Sequence, residues 1–156
     1  MTFTSDSASS TLRLPLTGWR VDCCCVDHEA RLLFLYGPRG AAELDRFELV
    51  LRTTLQLRPA DGYSVEIDPL GAPEGLAPLL ALVRRAVITA TATPEGELFV
   101  AFDDGAQLHV APDLTLEAWA LVGPRTEQLV ALPAGDGYVC FSDEQLDYAT
   151  SLRGIA

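Results

Sequence analysis

Apolar and polar residues alternate along much of the chain, and the period of that alternation predicts the elements. Between residues 47 and 57, Phe47, Leu49, Leu51, Leu55 and Leu57 fall on odd positions, while Glu48, Arg52, Thr54 and Gln56 fall on even ones. That period of two belongs to a strand with one buried face and one wet face. Pro59-Ala60-Asp61-Gly62 makes a turn, and Tyr63, Val65 and Ile67, alternating with Ser64, Glu66 and Asp68, predict its antiparallel partner. Residues 19–26 and 31–36 are apolar on both faces, which predicts two interior strands around the polar tip Asp27-His28-Glu29. That tip has no Gly and leaves the register of the hairpin open.

Residues 76–83 change period. Leu76, Leu79, Leu80 and Val83 stand at i, i+3, i+4 and i+7, the stripe of an α-helix covering a sheet face, with Arg84 and Arg85 at the end that favours cations. Residues 86–110 read as a three-stranded meander whose register can be argued. Pro94-Glu95-Gly96 and Asp103-Asp104-Gly105 each end in Gly, as three-residue hairpin loops with a bulge do. Such loops set Phe102 against Ala106, Val100 against Leu108 and Leu98 against Val110. On the other side they set Ala92 against Leu98, Ala90 against Val100 and Ile88 against Phe102. All these lie on one face; Thr89, Thr91, Thr93, Phe99, Gln107 and His109 lie on the other, and a one-residue slip would mix the two. Further strands are predicted over 116–122, 128–132 and 138–141. Ser142 and Gln145 form a capping box for a short C-terminal helix with Leu146, Ala149 and Leu152 on one side and Gly154 as its stop. The pattern as a whole predicts an α+β fold: a mainly antiparallel curved sheet, a meander or partly open barrel, with one packed helix and a short C-terminal helix.

Composition bounds this reading. A chain of 156 residues with 49% hydrophobic residues is one domain with a filled core, not a disordered segment. Residues 1–11 are Ser/Thr-rich and read as a frayed tail; 12–156 read as a single domain. No signal peptide or membrane-spanning stretch is visible, and the cysteines suggest no disulfide framework, so a reduced, cytoplasmic setting is expected. The formal net charge is −11. Every basic residue is Arg and there is no Lys or Asn, a bias of high-GC coding. The charge is lopsided: residues 1–85 hold 9 Arg and 11 acids, residues 86–156 hold 2 Arg and 11 acids. Such a chain repels nucleic acid and anionic membranes. Its acidity either keeps an apolar-rich domain soluble or steers a basic protein partner to it.

No phosphate loop, nucleophile elbow or zinc-protease motif is present, and no cofactor or metal is implied. The densest set of reactive groups is Asp22-Cys23-Cys24-Cys25-Val26-Asp27-His28-Glu29. On a strand Cys24 points away from Cys23 and Cys25, so the thiols do not converge on a metal; they read as small buried hydrophobes. A Cys25–His28 nucleophile lacks an orienting group. His109 sits on the open face beside Phe99, with Thr89 and Thr91 nearby, and reads as a surface residue without an assignable perturbing partner. Asp103, Asp104, Asp113 and Glu117 are candidate contacts of an acidic docking face, with Trp119 as its aromatic anchor or else a core residue. Asp103 and Asp104 are better explained as turn formers than as metal carboxylates, because Asp side chains bond their own turn backbone.

Gly18-Trp19-Arg20-Val21-Asp22, Leu80-Ala81-Leu82-Val83, Phe102-Asp103-Asp104-Gly105, Pro112-Asp113, Glu117-Ala118-Trp119 and Leu132-Pro133 together resemble an uncharacterised actinobacterial family of small domains. The resemblance spans about residues 17–138, with Leu116 where the family pattern has an aromatic residue. It brings no activity; similar small acidic proteins include immunity proteins of bacterial toxin systems, so it implies an immunity-like role. Three functional classes follow. The first expectation is a non-enzymatic protein-binding module that masks a basic partner. The alternative is a small-ligand-binding domain with a pocket between curved sheet and helix. An enzyme built on residues 22–29 is the third.

Overall fold

The strands assemble in a computed structural model that describes residues 4–6, 11–42, 45–125 and 127–141. Among the described residues thirteen strands form two antiparallel sheets. They are β1 (Thr4–Asp6), β2 (Thr11–Arg13), β3 (Arg20–Val26), β4 (Ala30–Tyr36), β5 (Phe47–Leu51), β6 (Leu55–Arg58), β7 (Val65–Ile67), β8 (Val87–Ala92), β9 (Leu98–Phe102), β10 (Gln107–Val110), β11 (Trp119–Val122), β12 (Gln128–Ala131) and β13 (Tyr138–Phe141). The first sheet has the order β1-β2-β8-β9-β10-β6-β7 and the second β13-β12-β11-β5-β4-β3. Their inner faces meet over one core that includes Leu16, Phe34, Leu49, Leu57, Val100, Phe102, Leu108 and Trp119. Trp19 meets Phe47 edge to face, ring centres 4.9 Å apart at 81°. Burial of this kind is the main stabilising term of any sandwich.

The expected α+β fold is therefore corrected to an all-β sandwich. The helix expected over residues 76–83 is a 3-10 helix, Pro73–Leu82. Pro78 inside it has no N–H to give to an α-helical partner, and its ring disfavours the α ladder. Bonds spanning three residues replace that ladder: Gly75 N–H donates to Ala72 O at 3.0 Å and Val83 N–H to Leu80 O at 3.2 Å. Three residues per turn change the buried stripe to Leu76, Leu79 and Leu82, while Leu80 is 60% exposed. The segment plugs the core rather than roofing a curved sheet. The expected C-terminal helix lies outside the described residues.

Other differences have local causes. Residues 47–57 do not form one strand: β5 belongs to the second sheet and β6 to the first, and the chain changes sheets at Arg52-Thr53-Thr54. The apolar odd positions, Phe47, Leu49, Leu51, Leu55 and Leu57, are all buried because both inner faces look into the same core. β3 is an edge strand, not an interior one; its pairing with β4 sets Cys25 against Arg31 and Val26 against Ala30, with a bulge around Asp22. In the meander, Ala92–Leu98, Ala90–Val100, Val100–Leu108 and Leu98–Val110 pair as the turn argument predicts. Ile88 does not: a register shift between Val87 and Thr89 pairs Val87 with Phe102 and turns Ile88 outward, 57% exposed.

Candidate functional site

The outer face of the seven-stranded sheet collects the polar positions of six strands, and the pairing fixes their rows. One row runs Arg13, Thr91, Phe99, His109, Gln56, Glu66 across β2, β8, β9, β10, β6 and β7. The next runs Thr89, Ala101, Gln107, Arg58. In the first row the Phe99 and His109 rings stack, centres 4.5 Å apart and planes at 11°. His109 Nε2 lies 3.0 Å from Glu97 Oε1. Glu97 is the partner that the sequence could not supply. Gln56 Nε2 donates to Glu66 at 3.2 Å.

The second row is lower because Ala101 and Thr89 are small. Beside the Phe99 wall this leaves a hollow of about 460 Å³, lined also by Ser64, Gln56, Arg58 and Gln107. A second hollow of about 430 Å³ adjoins it, shares Thr89 and Thr91, and reaches Ile88, Thr17 and Arg13. The depression thus runs over most of the sheet's width. Phe99 is 43% exposed at its centre. Chemically it offers a flat aromatic surface, amide and hydroxyl donors and acceptors, and guanidinium groups on Arg58 and Arg13 that have no ion-pair partner among the described residues.

The residues proposed from sequence as an acidic docking face are placed differently from one another. Trp119 is fully buried on β11, and its indole N–H donates to Gly96 O at 2.8 Å. It is a core residue. Asp103 and Asp104 lie in the β9–β10 turn, where Asp104 Oδ1 accepts from Ala106 N–H at 3.0 Å and Oδ2 lies 3.3 Å from Arg85. Asp113 follows the other end of β10. Its Oδ2 accepts from Thr115 N–H at 3.0 Å and Leu116 N–H at 2.9 Å, and these backbone bonds hold its carboxyl below the usual carboxylate value. Glu117 pairs with Arg52 at 3.4 Å, and Arg52 also holds Glu29 at 2.9 Å. The two ends of β10 separate Asp103 and Asp104 from Asp113 and Glu117, so the four do not converge.

The 22–29 cluster also resolves. His28 is exposed at the tip, and no hydrogen bond joins it to Cys25. All four cysteines are free. Cys24 packs against the core as expected, but Cys25 and Cys140 are exposed, which corrects the reading of the thiols as buried. Burial raises the Cys24 and Cys140 thiols above their ordinary value. Among the described residues no three His, Cys, Asp or Glu side chains are placed to hold a metal ion.

Sequence reading found Phe99, His109, Thr89, Thr91 and Gln107 on one face. It missed Gln56 and Arg58 as parts of the same site, because β6 joins β10 only through pairing across some fifty residues, and it left out Ser64 and, on β9, the small Ala101. The polar even positions of β6 were the available signal.

Fold and face together define a two-sheet antiparallel β-sandwich with an open outer groove. The chain belongs to the family of unknown function DUF6188, which it matches over residues 12–140. No curated protein and no solved structure matches it. No helix among the described residues is long and apolar enough to cross a membrane.

Proposed function

We propose that this chain is a non-enzymatic protein-binding module of immunity-like type, acting in the cytoplasm of an actinobacterial host, and that it grips its partner with the outer face of the seven-stranded sheet. The observation that carries this is the pair of adjoining hollows lined by five strands, β2, β8, β9, β10 and β6, with the stacked Phe99–His109 pair beside them. Aromatic anchors flanked by neutral donors and acceptors are what the centre of a protein interface is made of. The two hollows lie side by side across the open sheet face, an elongated shape that suits an extended segment of a partner. The net charge of −11 favours a basic partner by long-range steering, while the groove itself presents aromatic, neutral polar and guanidinium groups to the contact.

The test is recovery of a partner from host extract by wild-type protein and by Ala101→Arg, which fills the hollow without touching the core. A partner held by wild type and lost by Ala101→Arg supports the reading. A partner held equally by both moves the interface off this face. A second reading, a small-ligand site, is favoured by the hollow beside Phe99 alone; a compound that shifts the NMR signals of Phe99 and Gln107 but not those of Ile88 and Arg13 would support it instead.

A further inference from the structure

On edge strand β3, Cys23 and Cys25 point to the same, outer side of the six-stranded sheet, opposite Leu33 and Arg31 of β4, while Cys24 turns to the core. Their Sγ atoms are 4.0 Å apart. Two bonds of about 2.3 Å to one bridging atom reach across at most about 4.6 Å, so a single soft atom can join both sulfurs without backbone movement. A disulfide, at about 2.05 Å, would demand far more closure. Zinc is a poor fit because its protein sites are built from three or four ligands, and among the described residues no third donor joins these two. A group satisfied by two thiolates is required, and soft sulfur selects a soft acceptor.

We propose that Cys23 and Cys25 form a dithiol site for trivalent arsenic carrying one organic substituent. In the reaction with an organoarsenic(III) oxide, two As–S bonds form and the As–O double bond breaks. The two thiol protons leave with that oxygen as one water molecule. Arsenic stays trivalent and no electrons are exchanged. Cys25 is exposed and makes the first bond; Cys23, half-buried beside it, closes the ring. Cys140 takes no part, because β13 is the opposite edge of the same sheet. The site is separate from the groove and does not rest on the protein-binding reading.

Burial, and then the hydrogen bond with Cys25, pushes the Cys23 thiol up to about 11. It is protonated at neutral pH, so a reagent that needs one thiolate reacts slowly there. Capture at two points does not share that handicap, because the first bond makes the second intramolecular.

The experiment uses the full chain, phenylarsine oxide as the probe and excess monothiol as competitor. The expected result is one adduct by intact mass, loss of two free thiols, persistence in monothiol and release by ethanedithiol. Cys23→Ser and Cys25→Ser should each weaken capture by about 100-fold or more, the order of gain that linking two contacts gives; Cys140→Ser should leave it unchanged. Circular dichroism checks that each variant keeps the sheet spectrum. Absence of an adduct, an adduct retained by Cys23→Ser or Cys25→Ser, or one lost in Cys140→Ser would overturn the assignment.

Discussion

Trp119 shows how one residue's role turns on burial. The indole lies between the sheets with no exposed surface, and its N–H is paired to Gly96 O, the carbonyl of a hairpin turn in the other sheet. That bond ties β11 to the β8–β9 turn. Gly96 has φ of +97°, and a Cβ there would meet Gly137 O at 2.5 Å, so the turn is crowded as well as left-handed. Trp119→Ala removes the packing and leaves a buried carbonyl unpaired. It should cost about 3–5 kcal/mol, read as a lower denaturation midpoint. At Asp113 the effect is on pH dependence. The carboxylate's folded value is depressed, so its contribution is complete above the ordinary carboxylate value and disappears as pH falls through the folded one. The stability gap between wild type and Asp113→Ala should therefore narrow below about pH 4. A gap that stays constant down to pH 2 would mean that ionisation of Asp113 adds no stability.

Among the elements, the 3-10 helix is where pattern and structure part. Leu76 and Leu79 are common to the α and 3-10 stripes; Leu80 and Val83 belong to the first, Leu82 to the second. Pro78 favours the second, because its ring clashes with the carbonyl four residues back that an α-helix would place beside it. Leu79→Ala should cost about 2–5 kcal/mol, whereas Leu80→Ser should stay within about 0.5 kcal/mol of wild type in the same urea titration. An α-helix would make both costly. β5 and β6 carry a related lesson. Their shared odd-position pattern is legible in the sequence, but the change of sheet is not, because a bend at Thr53 preserves which side faces the core. Val50 departs from the pattern: at an even position, it is buried with Ala120 and Val130 in a small cluster on the other side of the second sheet.

For the whole molecule, charge and contact are separable. The net of −11 acts at long range, whereas the groove on the first sheet is lined mostly by Thr, Gln, Ser and an aromatic pair. If the partner is basic, raising salt should slow association and leave dissociation nearly unchanged. Phe99→Ala should do the reverse, speeding dissociation with little effect on association. Stopped-flow measurements at two salt concentrations distinguish the two. A salt-independent association rate would reduce the acidity to a solubility feature.

The turn chemistry and the alternation of the meander were sufficient to place Thr89, Thr91, Phe99, Gln107 and His109 on one open face, because a hairpin loop fixes register over neighbouring residues. Local pattern also identified Asp104 as a turn former, since the N–H that its carboxylate accepts from lies two residues on, at Ala106. What only the tertiary structure decided is non-local: which sheet each strand joins, that β6 lies beside β10 and brings Arg58 and Gln56 to the groove, and that Glu97 meets His109. It also decided that Trp119 faces inward, because a half-apolar strand reads the same whichever face is covered. Those outcomes depend on which surfaces meet when two sheets close on one core, and period-two alternation carries the side of a residue but not the identity of what covers it.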